Sequence, residues 1–547
     1  MKVGRPASEK EMAAMVKAAS KAQAVGMGHS WWKEPFCAAE GAEGLNVVTT
    51  ELAELRSALP IAQIGGSFEN PLGEGVAYAP AFPATYPIWA DEEERTVTVA
   101  AGVSQRTVLD YLATFQGPRN LNRGRGWTLP GFSWFIDQTI GGAVATGTHG
   151  SSLQHGSLSA NVVEYRLLKA DGTYEDVTEE SNPHLMRALR VNVGRLGVIT
   201  QVKMRIIPQQ AIRRTLENLD FDAFVDRLQG IQDAYNAAVA ADDPTRVQKA
   251  LEPLQDTQLQ WHSPLGNVWW ADYEYLSEVE ANSMVGGFAG PGGSNFANIS
   301  SVYDQAPFRG TPPNAMMATV QSSQFWANWF MNVIRGNFRS GVYSNRRAYA
   351  SLSDDQNRLH VINPYDQYEL AIPLETMGEC FSKFGKLVYD ERLFAGARTP
   401  FLIRFVKGDD GYLSNVNGGH RVYINMEDFV QYSTGRRNVP FQRMIAFLRE
   451  EPACAGRLHW GKAGWPEHAK CFDGNAEYPD TWCDFGCAAE QVDPTEKFSS
   501  IADFWVFNAQ KGEVSHDLLT EAGWNACCTK DGFKHGECQC VSRPDCG

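Results

Sequence analysis

The stretch Thr139-Ile-Gly-Gly-Ala-Val-Ala-Thr-Gly-Thr-His-Gly-Ser-Ser152 constrains this chain more than any other. Its second half consists of Thr146, Gly147, Thr148, Gly150, Ser151 and Ser152, broken only by His149. So little side-chain bulk lets backbone N–H groups approach a ligand and converge on a concavity, which is how main chain holds phosphate. The stretch contains no lysine or arginine, so an anion held there rests on amides and hydroxyls. Alone, the same residues also describe a glycine-rich turn between strands. The neighbouring segments decide.

Those segments read as α+β. Ser8-Glu-Lys-Glu11 is a capping box that opens a helix to about Gln23, and Ala24-Val25 enters a short strand leading into Gly26-Met-Gly-His-Ser30. Gly26-x-Gly28 begins like a dinucleotide fingerprint, but Trp31 stands where the third glycine belongs and no helix follows, which excludes a Rossmann site. Further on come a strand at Thr96–Ala101, a helix from Ser104 to about Phe115, and a hairpin of Val162–Lys169 with Tyr174–Val177. A helix near Pro183–Arg190 and a strand at Gly197–Ile207, ended by Pro208, complete a unit spanning residues 1–208. Strands at Tyr368–Leu374 and Phe401–Val406, with helices at Glu375–Leu387 and Phe441–Glu450, predict a second α+β domain over 209–508. A Cys-rich tail, 509–547, follows.

Several classes of function are excluded. A net charge of −15 opposes binding to nucleic acid or an anionic membrane surface. No apolar run reaches the roughly 18–20 residues that span a bilayer; Phe325–Ile334 is too short, contains two Asn and reads as a buried helix. Gly456-x-x-x-x-Gly461-Lys462 resembles a P-loop, but Ala463 replaces the Mg²⁺-binding hydroxyl and Leu458, His459 and Trp460 are too bulky to wrap phosphate. Of eleven cysteines, nine follow residue 450 and five crowd the last twenty-one positions without a C-x-x-C pair, which favours a disulfide knot over zinc. Disulfides imply an oxidising, secretory or extracellular compartment, and Asn298-Ile-Ser300 is a matching sequon. Against this, Met1–Ser8 carries no signal-peptide pattern, so localisation stays open.

Four side chains are candidates for chemistry. His29 follows Gly28 at a strand end, where an imidazole beside an anion cradle can be a nucleophile, a ligand or an attachment point. His149 sits within the cradle, but a metal site built from the two histidines lacks an evident third ligand, so no metal is expected. Arg404 lies in the apolar strand Phe401–Val406, and Lys462 follows His459-Trp-Gly461. Two cations on one cavity suit a polyhydroxylated or carbonyl substrate, although two ordinary salt bridges would place them equally well.

Taken together, these segments resemble the FAD-linked oxidases of the vanillyl-alcohol oxidase type (the PCMH-type fold), specifically the sugar-lactone oxidases. Gly28-His-Ser30 looks like the flavin-attachment loop, and Thr139-x-Gly-Gly142 with Thr146–Ser152 looks like the pyrophosphate loop. Gly194-x-Leu-Gly-Val-Ile-Thr200 looks like the closing flavin contact, His459-Trp-Gly-Lys462 like the catalytic signature and Asp493-Pro-x-x-x-Phe498 like the C-terminal motif. Gly150-Ser-Ser152, Cys37 and Cys538-Gln-Cys540 resemble the plant-type branch of lactone oxidases, whose members are typically secretory.

The resemblance implies an α+β, two-domain PCMH-type FAD-binding fold with an α+β cap domain and a Cys-rich tail. It implies FAD bound covalently through His29, with Gly26, Met27, Gly28, Ser30, Thr139, Gly142, Thr146, Gly147, Thr148, His149 and Ser152 around the pyrophosphate. Gly197, Val198 and Ile199 would contact the ribityl chain or ring. Lys462, Arg404 and His459 would be catalytic, with Asn425 a further polar contact. The implied reaction is oxidation of an aldono-1,4-lactone such as L-gulono- or L-galactono-lactone toward ascorbate or an analogue, with O2 or another electron acceptor. The chain departs from related enzymes in one place: the glutamate two residues before the arginine is here Leu402. Oxidation of another carbohydrate or polyol is an alternative because fold and flavin site do not fix substrate, and Leu402 keeps open a flavin-binding protein that has lost catalysis and uses its tail for interaction.

Overall fold

Ser8 caps the first helix as expected: its hydroxyl accepts from the Glu11 amide at 3.2 Å, while the Glu11 carboxylate takes the Ala7 N–H at 2.9 Å. Helix α1 (Glu9–Ala18) is shorter than its pattern suggested, because Ala22 and Gln23 already belong to a strand. The computed structural model describes residues 2–40, 43–52, 87–115, 117–122, 126–277, 279–280, 313–337, 340–343, 365–468, 471–502 and 504–543. The Asn298 sequon and Cys546 lie outside them.

Two sheets carry the N-terminal part. Strands β1 (Lys2–Gly4), β2 (Ala22–Val25) and β3 (Leu45–Val48) pair in parallel with β3 in the middle. Strands β4 (Ile88–Asp91) and β5 (Thr96–Ala100) begin an antiparallel sheet that β7 (Val162–Leu168), β8 (Tyr174–Thr178) and β9 (Val198–Arg205) complete, in the order β4-β5-β9-β7-β8. The short β6 (Trp127–Thr128) pairs with β10 (Ile207–Pro208). Ser104 caps α2 (Gln105–Thr114). The glycine stretch begins with a six-residue helix, α3 (Ile140–Ala145), whose first turn docks on the end of β5: Ile140 N–H donates to Val103 O and Gly141 N–H to Ala101 O, both at 2.8 Å. Helix α4 (Pro183–Arg190) falls where its sequence placed it.

The remainder is built on one eight-stranded antiparallel sheet. It comprises β11 (Ile212–Asp220), β12 (Thr257–His262), β13 (Asn267–Tyr275), β14 (Gly341–Tyr343), β15 (Asp366–Pro373), β16 (Phe401–Val406), β17 (Arg421–Asp428) and β18 (Arg457–Leu458), in the order β14-β11-β13-β12-β16-β17-β15-β18. The alternation of a pleated strand sorts its residues by face. Leu259, Trp261, Ile403, Phe405, Val422, Ile424, Leu370 and Ile372 are buried in the main hydrophobic core together with residues of the helices Phe221–Ala240, Met377–Asp390 and Val439–Glu450. The alternate residues Gln260, Leu402, Arg404, Asn425, Gln367 and Glu369 line a cavity on the other face. Register aligns Gln260, Leu402, Asn425 and Glu369 as one row across four strands. The helix Gln324–Asn337, expected to be buried, is amphipathic instead: Ala327 and Phe330 are covered while Phe325 is 70% exposed.

Disulfides close the C-terminal part, but the knot is not confined to the tail. Cys483–Cys540 and Cys487–Cys528 bind the tail to the helix Trp482–Val492, and among the described residues only Cys527–Cys538 lies within it. Cys380–Cys454 joins two distant segments elsewhere. The turn at Asp493 also differs from the polar turn its sequence suggests. Asp493 is fully buried, pairs with buried Arg195 at 2.8 Å, and accepts from the Lys497 and Phe498 amides at 2.7 and 2.8 Å. Its carboxylate therefore ties the C-terminal segment to the loop before β9.

Candidate active site

A cavity of about 370 Å³ lies between the glycine-rich loops of the N-terminal part and the polar face of the eight-stranded sheet. Two segments distant in sequence make its cofactor side. Gly26 approaches Thr139 so closely that a Cβ there would stand 2.1 Å from Thr139 Oγ1, so only glycine lets the loops meet. Gly28 turns the chain at φ +76°, which presents the following residues to the cavity. Gly26, Met27, Gly28, His29, Ser30, Thr139, Gly142, Thr146, Thr148, His149, Gly197 and Ile199 all line it.

Three residues assigned to the cofactor do not line it. Val198 alternates with Ile199 in β9 and is buried in the small cluster beneath α1. Ser152 Oγ is occupied locally, accepting from the Gln154 and His155 amides at 3.2 and 3.0 Å. Gly147, at φ +70°, has Val191 as its nearest neighbour and offers its carbonyl to the His459 ring.

The sheet side holds a buried charge cluster. Glu369 is 0% exposed and hydrogen-bonds the guanidinium of Arg404 through Oε1, while Oε2 lies 3.6 Å from Lys462 Nζ. Burial pushes the Glu369 carboxyl upward, but Arg404, Lys462 and the two histidines outweigh it and hold the group well below the usual carboxylate range. Arg404 also donates to His149 O at 3.2 Å, which ties the sheet to the glycine stretch. Lys462 donates to Gln367 Oε1 and lies 4.6 Å from the Trp31 ring centroid. Burial pulls its pKa down to about 8 despite Glu369. Gln367 passes the polarity on, donating to Asn425 Oδ1 at 3.1 Å and so fixing the Asn425 amide.

Burial favours the neutral form of His149 and His459. His149 Nδ1 donates to Gly150 O at 2.9 Å, and burial foremost depresses its pKa strongly. His459 Nδ1 accepts from the Gly461 amide at 3.0 Å, and burial lowers its pKa to about 3. With its ring held between Gly461 N–H and the Gly147 carbonyl, His459 shapes the turn that presents Lys462. The ligand atoms of His149, Glu369 and His459 lie within 4.8 Å of one another. Glu369 already faces two cations, so a metal ion there would meet their repulsion.

Sequence reasoning missed Glu369 and Gln367, which sit in an apolar-looking strand. It also missed Asp493's partner and the apolar, mostly aromatic wall of Trp134, Phe135, Met317, Phe330 and Tyr365. The residues present fit a flavin dinucleotide. Small residues leave backbone bare where the pyrophosphate would lie, and aromatic rings flank the side where a flat ring system would enter.

The comparisons with known proteins divide along the same line. A family model described as FAD binding domain matches residues 87–178, around the glycine stretch. A model described as D-arabinono-1,4-lactone oxidase matches residues 316–506, which hold Glu369, Arg404, Asn425 and Lys462. L-gulonolactone oxidase of Mus musculus is 25% identical over 423 residues, covering 75% of this chain and 80% of that protein. D-arabinono-1,4-lactone oxidase of Eremothecium gossypii is 32% identical over 143 residues, 26% and 25% of the two chains. Cholesterol oxidase from B. sterolicum shares the fold, with a TM-score of 0.60 at 15% identity over 92% of this chain and 93% of that one. Fold and matches define the class: an FAD-linked oxidase of PCMH-type architecture. Within that class the sequence matches are to sugar-lactone oxidases.

Proposed function

We propose that the protein oxidises a secondary alcohol carbon of an aldono-1,4-lactone, of the L-gulono or L-galactono type, toward ascorbate or an analogue, with O2 as the final electron acceptor. One observation carries this reading. A buried Glu369–Arg404–Lys462 cluster and the bare-backbone loops Gly26–Ser30 and Thr139–Thr148 face each other across one cavity. We assign cofactor holding to residues 1–208, substrate binding to 209–508 and bracing of the helix Trp482–Val492 to the tail 509–547.

Bound FAD supplies the hydride acceptor, and His29 is its covalent attachment point. The protein's contribution is placement and charge. Amides and hydroxyls of the two loops hold the pyrophosphate. Arg404 and Lys462 would stabilise negative charge where it develops on the substrate oxygen. Glu369 holds both cations at the cavity and favours the charged form of Lys462. It stands in the same sheet row as Leu402, so the departure at 402 leaves the row with a carboxylate. That favours an active enzyme over a flavin-binding protein without catalysis.

The test is anaerobic flavin bleaching by L-gulono-1,4-lactone but not by glucose, xylitol or glycolate. Bleaching by xylitol with none by the lactone would convert the assignment to a polyol oxidase. A correctly folded, colourless protein removes the flavin reading altogether.

A further inference from the structure

The row Gln260–Leu402–Asn425–Glu369 contains one polar group whose surroundings are out of character. Gln260 lies on β12 between Leu402 and Trp269 in the register, and both neighbours belong to the apolar cluster of Trp134, Phe135, Met317, Phe330 and Tyr365. Its side chain is 3% exposed and lines the cavity, yet its Oε1 has no hydrogen-bond partner among the described residues. A buried amide oxygen left unpaired costs about 1–3 kcal/mol, and an apolar residue of the same size would avoid that cost in such a wall. An acceptor aimed into a ligand cavity is explained when the ligand supplies the missing donor.

We infer that Gln260 is a specificity residue that hydrogen-bonds a hydroxyl of the substrate remote from the reacting carbon, on the exocyclic chain of the lactone. The inference rests on the lactone reading above and goes on to the substrate's size. Arg404 opposes Gln258, so Gln260 is its diagonal neighbour, with Cα atoms about 7–8 Å apart in such a pairing. A lactone ring spans much of that gap. With the ring held at Arg404 and Lys462, the exocyclic carbons run along Leu402, whose apolar side chain suits their C–H face. The terminal hydroxyl then reaches Gln260. A six-carbon lactone has a two-carbon diol chain that covers this distance, whereas a five-carbon lactone stops one carbon short. A hydroxyl both donates and accepts, so either orientation of the amide serves.

The holoenzyme is assayed with L-gulono-1,4-lactone and D-arabinono-1,4-lactone, for wild type and the near-isosteric Gln260→Met. Wild type should favour the six-carbon lactone. Gln260→Met should raise KM for it by about fivefold to tenfold with kcat little changed, the effect of one neutral hydrogen bond. KM for the five-carbon lactone should stay put, which also reports that the variant is folded and flavinylated. If Gln260→Met is not recovered folded, Gln260→Asn, which withdraws the amide by one carbon, should move the ratio in the same direction. Equal changes for both lactones, or no change for either, overturn the inference. A wild-type flavin that neither lactone bleaches sinks the lactone reading beneath it, a failure distinct from an unchanged preference.

Discussion

Replacing Glu369 by Gln removes one negative charge from a place that water does not reach and leaves shape and volume nearly intact. The Gln oxygen can still accept from Arg404, so what is lost is charge. Glu369 Oε2 is 3.6 Å from Lys462 Nζ. At an effective dielectric of about 20 that pair is worth about 4–5 kcal/mol, and each pKa unit corresponds to about 1.4 kcal/mol, so the loss is bounded at about three units. Lys462 already titrates near 8 because of burial. In Glu369→Gln its ammonium should lose its proton below neutrality, and flavin reduction should slow around pH 7 while flavin content holds. The assay is anaerobic stopped-flow reduction by L-gulono-1,4-lactone as a function of pH. In the wild type the rate constant should fall as pH rises through about 8, where the cation is lost; in the variant that limb should move down. A rising limb in the wild type would mean that the neutral amine is the working form, acting as a base. An unmoved limb in Glu369→Gln would refute the coupling itself. Stability offers a second readout, since breaking a buried ion pair costs about 3–5 kcal/mol, with the retained hydrogen bond favouring the lower end.

Other consequences are open to direct measurement. Lys462→Met should slow flavin reduction by about 10²–10³-fold, the scale of losing one preorganised electrostatic contact, with the flavin spectrum of the resting protein retained; an unchanged rate would remove Lys462 from the chemistry. His29→Ala should leave the acid-precipitated pellet colourless, and a yellow pellet would place the covalent link on another residue. Cys487→Ser with Cys528→Ser opens a loop of sequence separation 41. Loop entropy sets the loss at about 4 kcal/mol, to be read as a lowered thermal midpoint with flavin reduction by substrate unchanged. Asp493→Ala leaves Arg195 buried without its partner and should destabilise by about 3–5 kcal/mol; a midpoint near wild type would show that the Lys497 and Phe498 amides find other acceptors.

Local signals were legible where the chain satisfies itself locally. Ser104, Asn182 and Ser8 cap helices with their own side chains, so α1, α2 and α4 could be read from a few residues each. The β7–β8 hairpin is announced by Asp171-Gly172, whereas the strand expected over Gly197–Ile207 stops at Arg205, and Ile207 and Pro208 pair with β6 instead. The tail was legible as disulfide-bonded but not in its pairing. Cys483 and Cys487 are four apart on one helix and present two sulfurs on one face, to which Cys540 and Cys528 attach from different strands. Spacing along the chain carries no record of that meeting. Asp493 misled for a related reason. An Asp-Pro turn ordinarily faces water, and only the distant Arg195 makes burial of this one tolerable.

The active site shows the same limit more sharply. His29 and Lys462 could be named because each sits in a short motif, and Arg404 because it is a charge inside an apolar strand, while Glu369 could not. Tyr368–Leu374 reads as one more strand, with nothing local to single out its glutamate. What converts that residue into the centre of the site is register: β17 aligns Glu369 with Asn425 and Asn425 with Leu402, which puts the carboxylate on the face that Arg404 occupies. A one-residue slip of β15 would turn Glu369 into the apolar core and bring Leu370 to the cavity. Leu370 and Ile372 forbid that slip, because they pack with Phe381, Leu448 and Leu458 on the opposite face. The apolar residues of β15 thus position a charge they never touch. Reading Leu402 against a linear motif therefore exaggerates the departure. The cavity sees a row drawn from four strands, and in that row the carboxylate is present.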